Sequence, residues 1–345
     1  MELKKVIQYR DVWMGLAIAW VVFFHSGIWP AGELMTDFKM IGFGGVDIFI
    51  FASGIGCFWS LKKDDDYLGF IKRRAMRIIP TYWIFLVGWS IYKVIYSGMS
   101  WNAVLGNFLC VRSLTGLNDD FNWYMSGIWI MYFMAPFLKG FVDKIDTMYK
   151  FLAGVGMVFL FTICFWDVST LIIIMSRMPI FLIGMYVGKL AMEDNSISKW
   201  GIVGAIVLSI VGFGMLSYFQ KAYPDYLWSR AYYWYPFILI VPGVCIAISL
   251  LMECLKKVLG IIGEVTISIF EIPGKFSFEI YLLHIWFFDI LSKNLIVNEI
   301  VEDKRSVWVL TIIALVPACW VLRYISKKAV SIIGKNKCHR YVNLK

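Results

Sequence analysis

Apolar runs of about 20 residues recur along the whole chain, and an uncharged run of that length is what a helix needs to cross the hydrocarbon of a bilayer. Sixty per cent of the 345 residues are hydrophobic and the mean hydropathy is +0.72, far outside the range of water-soluble domains. The fold class expected is therefore all-α, a polytopic membrane protein, and soluble classes are excluded. Reading the runs between polar breaks gives ten candidate transmembrane helices, near 12–29, 40–60, 78–96, 122–138, 150–166, 171–188, 201–219, 232–252, 277–296 and 306–324. The apolar, partly polar stretch between 253 and 276 reads as an amphipathic surface segment rather than an eleventh crossing. A short basic tail precedes the first run and no small-residue cleavage site follows before Pro30, so a retained first span is expected.

Charge fixes the expected orientation. An even number of spans returns both termini to one side, and with that side cytoplasmic 24 Lys and Arg fall inside against six outside, counting the basic tail from Arg323 to Lys345. The net charge of +9 is thereby explained by topology, and nucleic acid is not an expected partner. The seven cysteines, mostly inside apolar runs, show no CxxC or CxxH spacing and read as small core residues, neither a disulfide framework nor a metal site. Metalloprotease, phosphate-loop and serine-hydrolase motifs are absent, so metal or nucleotide hydrolysis is not expected. No repeat or separate soluble domain stands out, and residues 1–345 read as one integral-membrane domain with a basic tail at about 325–345.

Against this apolar background the ionisable residues inside the spans carry the information, because placing them in hydrocarbon is costly. Only three histidines occur, at 25, 284 and 339. His25 closes the first span, 14 positions after Asp11, so helical geometry puts the two on nearly the same face and roughly 21 Å apart along the axis. A buried histidine bonded to a neighbouring backbone group is the plain alternative. Asp47 lies several residues into the second span behind Gly42-Phe-Gly-Gly-Val, where a cap or an interhelical hydrogen bond is its simplest use. Arg177, in Ser176-Arg-Met-Pro179, sits about two turns inside the sixth span and needs a partner or an aqueous cavity. In the ninth span Ser277, Tyr281 and His284 fall at i, i+4 and i+7 on one face.

Two further clusters lie at the span ends. Lys72-Arg73-Arg74-Ala-Met-Arg77 places Arg74 and Arg77 three apart, where two guanidinium groups can grip a phosphate; an ordinary lipid-facing basic flank is the alternative. On the opposite side, Trp101, Asn102, Asn107 and Asn118 with Asp119, Asp120, Asn122 and Trp123 suit carbohydrate, although a tryptophan at a bilayer interface is more often an anchor. The loop carrying Tyr223, Tyr226, Trp228, Arg230 and Tyr232 to Tyr235 is either an interfacial belt, the plainer reading, or a sugar-stacking platform.

Together these segments resemble the membrane acyltransferases of acyltransferase family 3, common in bacterial cell-surface glycan pathways. The resemblance covers most of the chain: Asp11 to His25, Gly45-Val46-Asp47 with Phe49 and Ser53-Gly54, Arg74 and Arg77 with Ile78, Pro80 and Tyr82, the span from Trp123 to Pro136, Arg177 to Gly184, and Ser277 to His284. The family usually has an arginine ahead of the first-span histidine where this chain has Met14; Arg10, one turn earlier, replaces the charge but not necessarily the geometry.

What the resemblance implies is transfer of a short acyl group, most often acetyl, from cytosolic acyl-CoA to a hydroxyl of an extracytoplasmic glycan, free at the surface or lipid-linked. Arg74 and Arg77, with Lys72, Arg73 and Asp11, would form the donor site. His25, kept neutral by burial, would act as general base or acyl carrier, and Asp47, Arg177, Tyr132, Tyr281 and His284 would orient it or stabilise the oxyanion. The expected setting is the plasma membrane as a multi-pass protein in contact with lipid; acyl-CoA is the co-substrate, no metal is implied, and a homo-oligomer is left open. Two other readings stay open: a transporter or flippase of a lipid-linked glycan, against which stands the lack of inverted repeats, and an inactive family member serving as a sensor or partner.

Overall fold

The computed structural model describes residues 1–115, 123–293 and 304–342. Among them the chain is helical, in the order α1 (Leu3–Ile7), α2 (Arg10–His25), α3 (Glu33–Met40), α4 (Gly45–Lys63), α5 (Tyr67–Ser97), α6 (Trp101–Phe108), α7 (Trp123–Asp143), α8 (Met148–Ile163), α9 (Ser169–Met175), α10 (Met178–Met192), α11 (Lys199–Ala222), α12 (Tyr226–Ser229), α13 (Phe237–Leu259), α14 (Ile261–Lys275), α15 (Ser277–Lys293) and α16 (Lys304–Val342). The starts follow local chemistry: Asp66, Ser100, Thr147 and Ser198 each accept a hydrogen bond from the backbone N–H three residues on, satisfying one donor the first turn leaves open. Helix α5 stops at Gly98, whose φ of +63° suits a residue without a Cβ.

Among the described residues seven helical segments are long and apolar enough to cross a membrane: Gly42–Lys63, Tyr67–Ser97, Trp123–Asp143, Thr170–Met192, Lys199–Ala222, Phe237–Leu259 and Trp308–Ile332. The other expected spans coincide with α2, α8 and α15, which have 16, 16 and 17 residues. The basic cluster at the span end, with Arg74 and Arg77 expected on one helix face, forms the first turns of the 31-residue α5. Burial orders the bundle. In the apolar windows of Gly42–Lys63 and Thr170–Met192, 78% and 83% of residues are buried, against 17% for Lys199–Ala222, so α4 and α9–α10 form its centre and α11 its margin.

Close backbone approach sets which helices neighbour one another. A Cβ on Gly54 would run into Phe181 O and one on Gly184 into Phe51 O, so α4 and α10 meet main chain to main chain. Helix α14 meets α2 the same way, with Gly15 against Phe270 O and Gly274 against Asp11 O. The stretch read as a surface segment thus forms a 15-residue helix, short for a crossing, that docks one face on α2 and exposes Ile261, Ile262, Val265, Ile269 and Ile272 on the other.

Candidate functional site

Two groups of cavities lie at opposite ends of the bundle, and several of the polar residues singled out by sequence line one or the other. The aromatic end holds a cavity of about 390 Å³ lined by His25, Phe43, Ser113, Trp123, Arg177, Trp228, Trp234 and Tyr281, among others. At the basic end a cavity of about 90 Å³ is lined by Arg10, Met14, Ser53, Gly56, Arg74, Arg77, Tyr124, Tyr132, Ser277 and Tyr281. Tyr281 lines both, and its ring centroid lies 5.0 Å from that of Tyr124. A second basic-end cavity of about 280 Å³ shares Arg10, Met14 and Arg77 and adds Asp11, Lys275, Glu279 and Arg323. The expected separation of Asp11 from His25 is therefore realised as one helix touching both ends.

His25 belongs to the last turn of α2 and is exposed where it lines the cavity. This corrects the expectation that burial keeps His25 neutral: the fully buried imidazole is His284. His284 Nδ1 lies 3.0 Å from Ile280 O, His25 Nδ1 lies 3.0 Å from Val21 O, and His284 Nε2 is 3.3 Å from His25 Nδ1. One set of neutral tautomers satisfies all three contacts. His284 donates from Nδ1 to Ile280 O, and His25 donates from Nδ1 to Val21 O and, more weakly, to the lone pair on His284 Nε2. The lone pair of His25 then sits on Nε2. The local backbone bond expected of a structural histidine is thus present, and it fixes the tautomer a base would need.

Arg177 is held in place by the break in its helix. Residues 176 and 177 separate α9 from α10, Pro179 has no N–H to continue the ladder, and Arg177 Nη1 donates to Ile173 O. Its Nε lies 3.0 Å from Asp47 Oδ1, an ionic contact whose alignment falls short of a hydrogen bond. The guanidinium carbon lies 4.5 Å from the Trp123 ring centroid and 5.0 Å from that of Trp234. Two indole faces and one carboxylate thus compensate a cation that is only 1% exposed. Asp47 lies outside the cavity lining, so it acts on the site through Arg177.

Arg74 is buried and packs over Phe70 and Tyr132, with ring distances of 5.2 and 5.5 Å. Its Nη2 donates to Gly56 O, while its buried Nε has no hydrogen-bond partner among the described residues. Above Gly56, at the point a Cβ would occupy, Arg74 Nη1 lies 3.8 Å away and Arg10 Nη1 4.0 Å. Arg77 lines the same cavity, so three guanidinium groups converge there, and Met14 lines it as the resemblance would place an arginine. Like charges that close favour an anion between them.

The structure does not bring all the sequence candidates together. Arg73 pairs with Asp64 on the exposed side of α5, and burial plays little part there: the Asp66 backbone N–H, then Arg73, hold the Asp64 carboxyl below the usual range. Lys72 is exposed and lines none of these cavities. Asp11 reaches the basic-end rim 3.6 Å from Arg10. The aromatic loop, read most simply as an interfacial belt, sends Trp228 and Trp234 into the cavity wall. Asn118, Asp119, Asp120 and Asn122 lie outside the described residues. Sequence reading missed Lys275 and Arg323 as cavity residues, because each sits in a stretch whose positive charge the topology already explained.

A family model described as an acyltransferase domain, that of acyltransferase family 3, matches residues 7–324. No curated protein and no solved structure matches. The match spans all three cavities and every candidate residue described above, from Arg10 to Arg323. The chain therefore belongs to acyltransferase family 3 and is a membrane acyltransferase.

Proposed function

We propose that this acyltransferase moves a short acyl group, acetyl in the first instance, from acyl-CoA in the cytoplasm to a hydroxyl of a glycan on the far side of a bacterial plasma membrane. The observation that carries this reading is that Tyr281 lines both the cavity of converging arginines and the cavity holding His25. A donor held by its phosphates at Arg10, Arg74 and Arg77 has a thin, extended arm that can pass Tyr281 to present its thioester near His25. Aromatic walls and a few polar groups at the far cavity suit a sugar, whose apolar ring faces stack on indoles such as Trp228 and Trp234.

The chemistry follows from the tautomers. His25 Nε2 takes the proton from the acceptor hydroxyl as its oxygen attacks the thioester carbonyl. The new C–O bond forms, the C–S bond breaks, and the imidazolium returns the proton to the departing thiolate. Arg177, held by Asp47, Ile173 O and two tryptophans, is a preorganised donor for the oxyanion, and Tyr281, which lines the same cavity, can supply a second donor from its hydroxyl. An acyl-His25 intermediate is the two-step form of the same transfer.

The test is the ester-linked acetyl content of surface polysaccharide from wild-type cells, a deletion strain, and the deletion complemented with His25→Ala at matched expression. Esters should vanish on deletion and stay absent with His25→Ala. Full restoration by the variant overturns the role of His25, and esters unchanged by the deletion overturn the glycan acceptor.

A further inference from the structure

The basic end is cationic at two places rather than one. The deeper cavity has Arg74 with Arg10 and Arg77; the wider one keeps Arg10 and Arg77 and adds Lys275 and Arg323 from α14 and α16. Lys275 is tied to Glu271 at 2.8 Å. Arg323 is not tied in that way. Its nearest carboxylate oxygen, on Glu279, is 3.7 Å from Nε, too far for a hydrogen bond, and its guanidinium carbon lies over Phe276, 4.3 Å from the ring centroid. Among the described residues no group accepts a hydrogen bond from that guanidinium, although it lines the cavity. A planar fork held by an aromatic face, with its N–H groups unspent, is suited to a phosphate.

The arrangement calls for a ligand with two separated phosphate groups. We infer that Arg323, with Arg10 at the junction, forms a second phosphate subsite that reads the 3′-phosphate on the ribose of a CoA donor, apart from the diphosphate held at Arg74 and Arg77. This rests on the acyl-CoA reading given above. The order of the two subsites follows from Tyr281, which lines the Arg74 cavity and not the Arg323 one. The arm that must pass Tyr281 is attached at the diphosphate, so the diphosphate belongs with Arg74 and the ribose phosphate with Arg323. A carrier-protein phosphopantetheine, which has one phosphodiester and no ribose phosphate, leaves the Arg323 subsite unfilled. The site thereby selects free CoA thioesters.

Equilibrium binding of CoA and of 3′-dephospho-CoA to the purified full-length protein in detergent tests this without requiring turnover. Wild type should bind CoA about tenfold more tightly than the dephospho form. Arg323→Gln should bring that ratio close to one while leaving dephospho-CoA affinity unchanged, Arg323→Lys should keep part of it, and Arg74→Gln should weaken both ligands alike. Because Arg323→Gln strands the buried Glu279, the double variant Glu279→Gln/Arg323→Gln is measured beside it and should show the same lost ratio. Equal wild-type affinities, or an Arg323→Gln variant that weakens both ligands equally, overturn the inference. CoA binding with the expected ratio but no ester transfer would leave the subsite standing and remove the transfer reading; binding of neither ligand removes both.

Discussion

His284 Nε2 lies 3.3 Å from His25 Nδ1, across 259 positions of sequence, so a buried imidazole backs the one that lines the aromatic-end cavity. His284→Ala removes the second acceptor for the Nδ1 proton while the bond to Val21 O remains. Initial rates in membranes at saturating donor should fall about 10-fold to 100-fold, less than the loss for His25→Ala, since acid–base groups of this kind contribute about 10²–10⁴. His284→Gln, whose side-chain carbonyl can accept the same proton, should recover part of the rate, and donor KM should stay near wild type in both. A His284→Ala enzyme at full rate would show the pairing to be incidental.

The buried Asp47–Arg177 pair makes a contrasting prediction about stability. Removing one partner leaves the other charged and out of water, so Asp47→Ala should cost about 3–5 kcal/mol, while Asp47→Ala/Arg177→Met should recover a good part of it. Thermal unfolding in detergent, read together with folded yield, measures both. Additive losses in the double variant would mean that the two residues act separately.

The α2–α14 contact is predicted to tolerate no side chain. Any Cβ at Gly274 overlaps Asp11 O, so Gly274→Val should separate the helices, lower folded yield and disturb the basic-end cavity lined by both Asp11 and Gly274. At Gly140 nothing lies within 4 Å of a Cβ, and Gly140→Ala should leave yield and CoA affinity unchanged. Yield by fluorescence-detected size exclusion separates the two outcomes.

Lys39, in the segment between the first two spans, donates to Ser26 O at 2.8 Å and lies 4.0 Å from the Trp29 ring centroid. Burial pushes its ammonium below the ordinary 10.5. The unfolded chain then binds this proton more tightly than the folded one. Stability from this group is therefore lost as pH falls through the lowered folded value and is fully present above 10.5. Melting temperature should rise more steeply with pH over that window in wild type than in Lys39→Met. Parallel slopes would refute the assignment.

How much of this was legible in the sequence varies with the kind of fact. Apolar runs located the spanning helices, because the hydrocarbon thickness sets a length that shows in one dimension. Ionisable residues inside those runs marked His25, Asp47, Arg177 and His284, because each is costly in hydrocarbon unless it has a partner or a cavity. The 3.6-residue period placed Tyr281 and His284 on one face of α15.

What the period cannot say is which helix that face meets. Lipid tails and neighbouring helices are equally apolar, so no hydropathy signal distinguishes a protein-facing stripe from a lipid-facing one. Trp228 and Trp234 therefore read as a belt until their loop folds over Arg177, and Arg323 reads as a positive flank until α16 brings it to the cavity that Arg10 also lines. Arg73, one residue from Arg74, looks equivalent in sequence but turns to Asp64 because adjacent helical positions point about 100° apart. The sequence by itself determined an all-helical membrane chain and the polar residues it must house. Tertiary structure decided their pairing, His25 with His284 and Asp47 with Arg177, because the close contacts at Gly15, Gly54, Gly184 and Gly274 set which helix faces meet.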